Sequence, residues 1–224
     1  MLNVGRTRTV HVIVSTVVLV ALFALPAEAT GGEAKVKAYG CDKCHGEDGV
    51  SEFQTTPNLA GQNELYLVNQ LKKFHGTLPM QGVPSSSPTL LGGDVKIERH
   101  DQIMDVRAGV LTDADIGDIA TYYSGLPCGA GGEQAPSAPP PPLVENCQEC
   151  HGSNSRTSFP GTPNLSGQKK LYLIKQLGAF RLSGEGVDIA QDGRHHHIMS
   201  SKDKPLSGTD IESLATYFSG LSCR

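Results

Sequence analysis

The sequence predicts an all-α protein made of two tandem copies of one small helical domain. Three observations carry that prediction. A Cys-x-x-Cys-His motif stands at Cys41–His45 and returns at Cys147–His151, 106 residues later. Apolar residues after each copy recur at helical spacing. Between the copies, Gly129 to Pro142 is a Gly/Ala/Pro stretch ending in four prolines, the composition of a semi-extended linker.

The chain opens on a secretory leader. Arg6 and Arg8 form a positive n-region, Val10 to Leu25 is largely apolar, and Ala27-Glu28-Ala29 fits the small-x-small cleavage rule. Residues 1–29 are therefore expected to be removed before Thr30. The single arginines, not paired as a twin, point to the Sec route. An uncleaved anchor is the alternative, but the apolar run is short for a span of about 20 residues.

The first domain is expected over residues 30–128. A short helical pattern runs from Gly31 into the Cys41 motif. A polar loop, Gly46 to Thr56, leads to Pro57-Asn58-Leu59-Ala60-Gly61-Gln62. Leu65, Leu67, Val68, Leu71 and Phe74 then predict a helix, and His75 to Gly93 reads as a long surface loop. A last helix starts at Thr112, whose hydroxyl and the carboxylate of Asp115 form a capping-box pattern. Ile116, Ile119, Ala120 and Tyr123 supply its apolar face, and Gly125 and Pro127 stop it.

The second domain, expected over residues 143–224, repeats this order. Pro163-Asn164-Leu165-Ser166-Gly167-Gln168 and Leu171-Tyr172-Leu173 keep the displacement of 106. The last helix, with Ser207 and Asp210 at its cap and Ile211, Leu214, Ala215 and Phe218 on its face, is displaced by 95. The first copy thus holds 11 extra residues in its middle loop. A repeat of this length is a duplicated domain, not a solenoid unit.

The motif fixes the chemistry. Two thiols spaced by two residues can form thioethers with the two vinyl groups of a porphyrin, and the histidine that follows reaches the iron. A lone copy could be a redox dithiol or half a zinc site; two copies in matching surroundings favour two covalently attached haem c groups. Cys41, Cys44, Cys147 and Cys150 are the expected attachment points, with His45 and His151 as axial ligands. Two haems also answer the thin apolar inventory, since the chain has no Trp and only 5% aromatic residues.

The sixth position at each iron decides between transfer and catalysis. Met104 and Met199 are equivalent at the displacement of 95, as are His100 and His195. Methionine ligation would close both irons. Met80 is a rival in the first domain but has no counterpart in the second. His195-His196-His197 could instead supply an imidazole or a metal site, or be a polar loop beside Met199. Pro57 and Pro163 are placed to offer a carbonyl to the second ring nitrogen of each proximal histidine.

These residues carry a resemblance. CxxCHG, PNLxGQ, LYLxxQLxxF, a methionine and L[ST]xxDIxxxATY[YF]SGL, each twice, resemble the dihaem cytochromes c4 over about residues 31–224. The resemblance implies two class I cytochrome c domains about a pseudo-twofold axis, haems near the shared interface, and the ligand set named above. It implies a periplasmic electron carrier, soluble or loosely membrane-associated, passing single electrons between redox proteins such as a terminal oxidase. A related possibility is an electron-accepting subunit of a flavoprotein dehydrogenase, such as a flavocytochrome c sulfide dehydrogenase. The net charge of −4 argues against nucleic acid as a partner. Substrate chemistry would need an open iron, so an enzyme is not expected.

Cys128 and Cys223 remain. They too are related by 95 residues. In an oxidising compartment a disulfide joining the domains is one expectation, and free thiols or bonds between chains are the others.

Overall fold

The computed structural model describes residues 31–76, 99–128, 140–154, 156–187, 193–203 and 205–223, with Met1. The leader beyond Met1, Met80 and linker residues 129–139 lie outside the described residues. Five helices form the first half: α1 (Gly31–Ala38), α2 (Asp42–His45), α3 (Glu64–His75), α4 (Gln102–Ala108) and α5 (Asp113–Gly125). Four form the second: α6 (Val144–His151), α7 (Lys170–Gly184), α8 (His197–Asp203) and α9 (Gly208–Gly220). Among the described residues the only extended pairing is an isolated antiparallel bridge between Arg99 and Arg194.

The last helix organises each half. In the first, α5 packs on α1 and α3, and α3 on α4; in the second, α7 packs on α8 and α9. Ile116, Ile119, Ala120 and Tyr123 of α5 bury themselves against Val36, Leu67 and Phe74. Leu214, Ala215 and Phe218 of α9 do the same with Val144 and Leu173. Each large side chain buried in this way is worth about 1.5–3 kcal/mol. Both cores are small, and the second has fewer buried members.

The capping boxes form as the sequence predicts: Thr112 with Asp115, and Ser207 with Asp210. Asp115 also receives an ion pair from Lys35 at 2.9 Å and the Tyr39 hydroxyl at 3.0 Å, which fastens α1 to α5. Close approach at that crossing needs a glycine. A Cβ on Gly32 would lie 2.3 Å from the Asp118 carbonyl oxygen. The helix α3 runs one residue further than the loop boundary expected at His75, because Gly76 caps it on the carbonyl of Lys72.

Two elements differ from the sequence reading. Met104 and Met199 lie on short helices, α4 and α8, where no helix was expected. The Asp101 carboxylate starts α4 by accepting from the backbone N–H groups of Ile103 and Met104, both at 3.1 Å. Seven residues give too few turns for an apolar period to register.

The two halves are held together by a symmetric polar seam. Asn58 N donates to Gln168 Oε1 at 2.8 Å, and Gln168 Nε2 donates back to the Asn58 carbonyl at 2.9 Å. Asn164 and Gln62 repeat that exchange at 2.7 and 2.9 Å. The Asn58 and Asn164 side-chain amides then donate to the carbonyls of Gly167 and Gly61. Lys175 and Asp101 add an ion pair across the seam at 3.5 Å. Close domain packing is thus built through the repeated loops, whose hydrogen bonds form the seam.

Candidate haem sites

Each Cys-x-x-Cys-His motif winds into a helical turn that ends on its histidine. The following glycine then reverses the chain. Gly46 and Gly152 have φ of 85° and 86°, and a Cβ there would lie 2.2 and 2.1 Å from the carbonyl oxygens of Val50 and Arg156. Only glycine fits such a position. The loop then returns to brace the motif. The Ser51 and Thr157 hydroxyls donate to the carbonyls of Cys44 and Cys150, each at 2.7 Å. Asn58 and Asn164 accept from the backbone N–H groups of Ser51 and Thr157 at 2.9 and 3.2 Å.

His45 Nδ1 lies 2.9 Å from the Pro57 carbonyl oxygen, and His151 Nδ1 lies 2.9 Å from that of Pro163. A carbonyl only accepts, so Nδ1 carries the proton and Nε2 keeps its lone pair. Both rings are buried. Burial pushes both imidazoles below their ordinary pKa, outweighing the opposing effect of the proline carbonyls. At neutral pH both imidazoles are neutral, with Nε2 left able to act as a ligand.

The cysteines are unpaired within each motif. Burial pushes the thiols of Cys41 and Cys147 up to about 11. Among the described residues no cluster of three or more His, Cys, Asp or Glu side chains could hold a metal ion. The His195–His197 run does not converge: His195 Nδ1 pairs with the Ser183 hydroxyl at 2.7 Å, and the rings of His196 and His197 stack at 4.9 Å. The equivalent His100 meets Asp105.

Met104 is half-buried and packs against the first core, and Met199 is half-buried on α8. The residues present therefore fit a covalently attached haem in each half: two thiols, a buried neutral imidazole, and a methionine on the next short helix. The sequence reading missed the polar residues that join the sites to the seam: Asn58, Gln62, Arg99, Tyr66 and their counterparts Asn164, Gln168, Arg194 and Tyr172. Their signal was present, since all eight recur at one displacement or the other.

Two helical domains, each with this arrangement, define a dihaem c-type cytochrome. The cytochrome c family model matches residues 142–222. Cytochrome c4 of Azotobacter vinelandii is 32% identical over 212 residues, covering 87% of this chain and 89% of that protein. The crystal structure of reduced recombinant cytochrome c4 from Pseudomonas stutzeri superposes with a TM-score of 0.62 at 31% identity, covering 86% of this chain and all of that one. A thiosulfate dehydrogenase electron acceptor of Thiomonas intermedia is 35% identical over 82 residues, covering 36% of this chain and 34% of that protein. The chain belongs to the cytochrome c4 family. It carries two covalently bound haem c groups and is an electron-transfer protein, not an enzyme.

Proposed function

We propose that this cytochrome works in the periplasm as a respiratory carrier, taking and delivering single electrons between redox proteins. The carrying observation is the matched pair of histidine–proline contacts, each 2.9 Å, in two domains whose seam grows from the same loops. Cys41, Cys44, Cys147 and Cys150 would hold the porphyrins as thioethers. His45 and His151 would bind iron through Nε2, with Pro57 and Pro163 fixing their orientation. Met104 and Met199 would supply the second iron ligand in each domain. The haem iron supplies the one-electron couple. The protein's part would be to supply a soft thioether from Met104 and Met199 and to keep the buried imidazoles neutral, which suits electron transfer better than substrate chemistry. The leader at residues 1–29 supports export.

The optical spectrum, oxidised and reduced, with and without carbon monoxide, tests this reading. Two haems per chain, a methionine-to-ferric-iron charge-transfer band and no carbon monoxide binding are expected. A missing band or rapid binding would overturn the ligand set, with Met104, beside the longer loop, the first assignment to fall.

The similarity to a thiosulfate dehydrogenase electron acceptor supports a second reading, in which this chain accepts electrons from a sulfur-compound dehydrogenase. A dehydrogenase co-purifying in fixed ratio would favour it over a freely diffusing carrier.

A further inference from the structure

The seam reaches the helix of one methionine through an ion pair that its counterpart lacks the residues to form. The Asp101 carboxylate starts α4, the helix that carries Met104, and divides its two oxygens between the domains. Oδ1 accepts from the backbone N–H groups of Ile103 and Met104, both at 3.1 Å. Oδ2 lies 3.5 Å from Lys175 Nζ, on α7 of the second domain. One residue earlier, the His100 backbone N–H donates to the Gly193 carbonyl of the second domain at 2.7 Å. A single carboxylate thus stands between a charge in one domain and the main chain of the proposed iron ligand in the other.

The second domain is built differently. At the displacement of 95, His196 stands where Asp101 does, and at 106, Asn69 stands where Lys175 does. Neither is an anion, so the same ion pair cannot form on the mirrored side. The start of α8 is held from within its own domain. The His196 backbone N–H donates to Ser200 Oγ at 3.2 Å, and His195 Nδ1 pairs with the Ser183 hydroxyl of α7 at 2.7 Å.

Exposed ion pairs contribute little, because two long side chains must be ordered to make them and water screens the result. Here both residues are half-buried. Two backbone N–H groups already order the carboxylate, so Lys175 alone gives up freedom to form the pair. A cation on the second oxygen then fixes how the first meets the helix. That sets the first turn of α4, from which the Met104 thioether extends. A helix of seven residues has few other turns to hold its start in place.

We propose that Lys175 is a positioning residue for Met104, acting through Asp101, so that the second domain braces the iron ligand of the first without a matching brace for Met199. The proposal rests on the two methionines as iron ligands. Methionine ligation raises a haem potential, so the first haem depends on the docked state of the molecule more than the second does.

The test is displacement of the methionines by added imidazole, followed by proton NMR of the intact ferric holoprotein at neutral pH. Each bound methionine methyl is shifted by its own iron and gives its own signal, and Met104→Ala or Met199→Ala assigns the two. Lys175→Met keeps the stem and removes the charge. It should let imidazole displace Met104 at about two- to fivefold lower concentration, the worth of a part-exposed ion pair, and leave Met199 unchanged. Lys175→Arg should stay near wild type. Asp101→Asn keeps a competent cap and should match Lys175→Met. The double variant Asp101→Asn/Lys175→Met should be no worse than either single one, because both remove the same interaction. Lys170→Met, whose ion pair with Glu212 lies within the second domain, should change neither methionine. Two methionine signals in the wild type, with Met104 held equally tightly in every variant, would overturn the proposal. Equal loosening of both methionines, or additive effects in the double variant, would do the same. Absence of a Met104 signal in the wild type would overturn the ligand set itself, and the brace with it.

Discussion

At position 203 the second domain buries a carboxylate where the first buries the methyl of Ala108. Asp203 is 4% exposed, and its Oδ2 finds no hydrogen-bond partner among the described residues. Burial pushes it up to about 7, against a weaker pull from Arg194. The folded chain thus keeps a proton that the unfolded chain has released above about pH 4. Stability from this group is highest below that pH and falls as pH rises towards 7, with the whole penalty present above it. The displacement is worth about 4 kcal/mol at most. Asp203→Asn should therefore stabilise the protein at pH 8 and change little at pH 4. Denaturant unfolding of both proteins across that range checks it; parallel profiles would show that Asp203 is paired or solvated. Nothing in the sequence marks this residue, because a charge within a polar stretch looks like surface. The cysteines, histidines and prolines of the sites were legible for the opposite reason: thioether and imidazole chemistry dictates their spacing.

Among the helices, α5 and α9 were the easiest to read and α4 and α8 the hardest. A capping box followed by three turns of apolar period specifies a helix twice over, once by its end and once by its face. The two boxes nevertheless do different work. Asp210 is held below its ordinary pKa by Ser207, through the hydroxyl and the backbone N–H. Asp115 is held far below it, first by Thr112, then by Lys35, with Tyr39 adding less. Thr112→Ala and Ser207→Ala should each cost about 1 kcal/mol, the usual worth of a lost N-cap. Asp115→Asn should cost more than Asp210→Asn, because it also loosens α1. Both carboxylates stabilise the fold above the ordinary carboxyl pKa and lose that contribution as pH falls through their depressed values. The excess at Asp115 should therefore shrink in acid. Equal midpoints for the two asparagine variants at neutral pH would show that the tie to α1 is solvated away.

At the scale of the whole molecule, symmetry decides which repeated residues meet. Equivalent positions in a pseudo-twofold pair touch only where they lie on the axis, and a displacement in sequence does not say which do. Met104 and Met199, Arg99 and Arg194, and Cys128 and Cys223 share the displacement of 95. The arginines reach the axis through their bridge, and the cysteines reach it through a disulfide with Cα atoms 5.5 Å apart. That separation lies within the range a disulfide spans. The bond closes a loop of 95 residues, worth about 4–5 kcal/mol on the chain-entropy model. It also packs against Gly61, the end of one Pro-Asn-Leu-Ala-Gly loop, where a Cβ would lie 3.0 Å from that of Cys128. Disulfide and polar seam thus clamp one surface, so removing the bond should not release the domains at once. The double variant Cys128→Ser/Cys223→Ser should keep both haem potentials at neutral pH, since the seam hydrogen bonds remain. Its denaturant midpoint should drop, and a single unfolding transition should separate into two as the small cores melt independently. Native wild-type monomer should show no reactive thiol. Two titratable thiols would refute the clamp, and a double variant with shifted potentials would mean that the disulfide itself, not the polar seam, holds the haem sites in register.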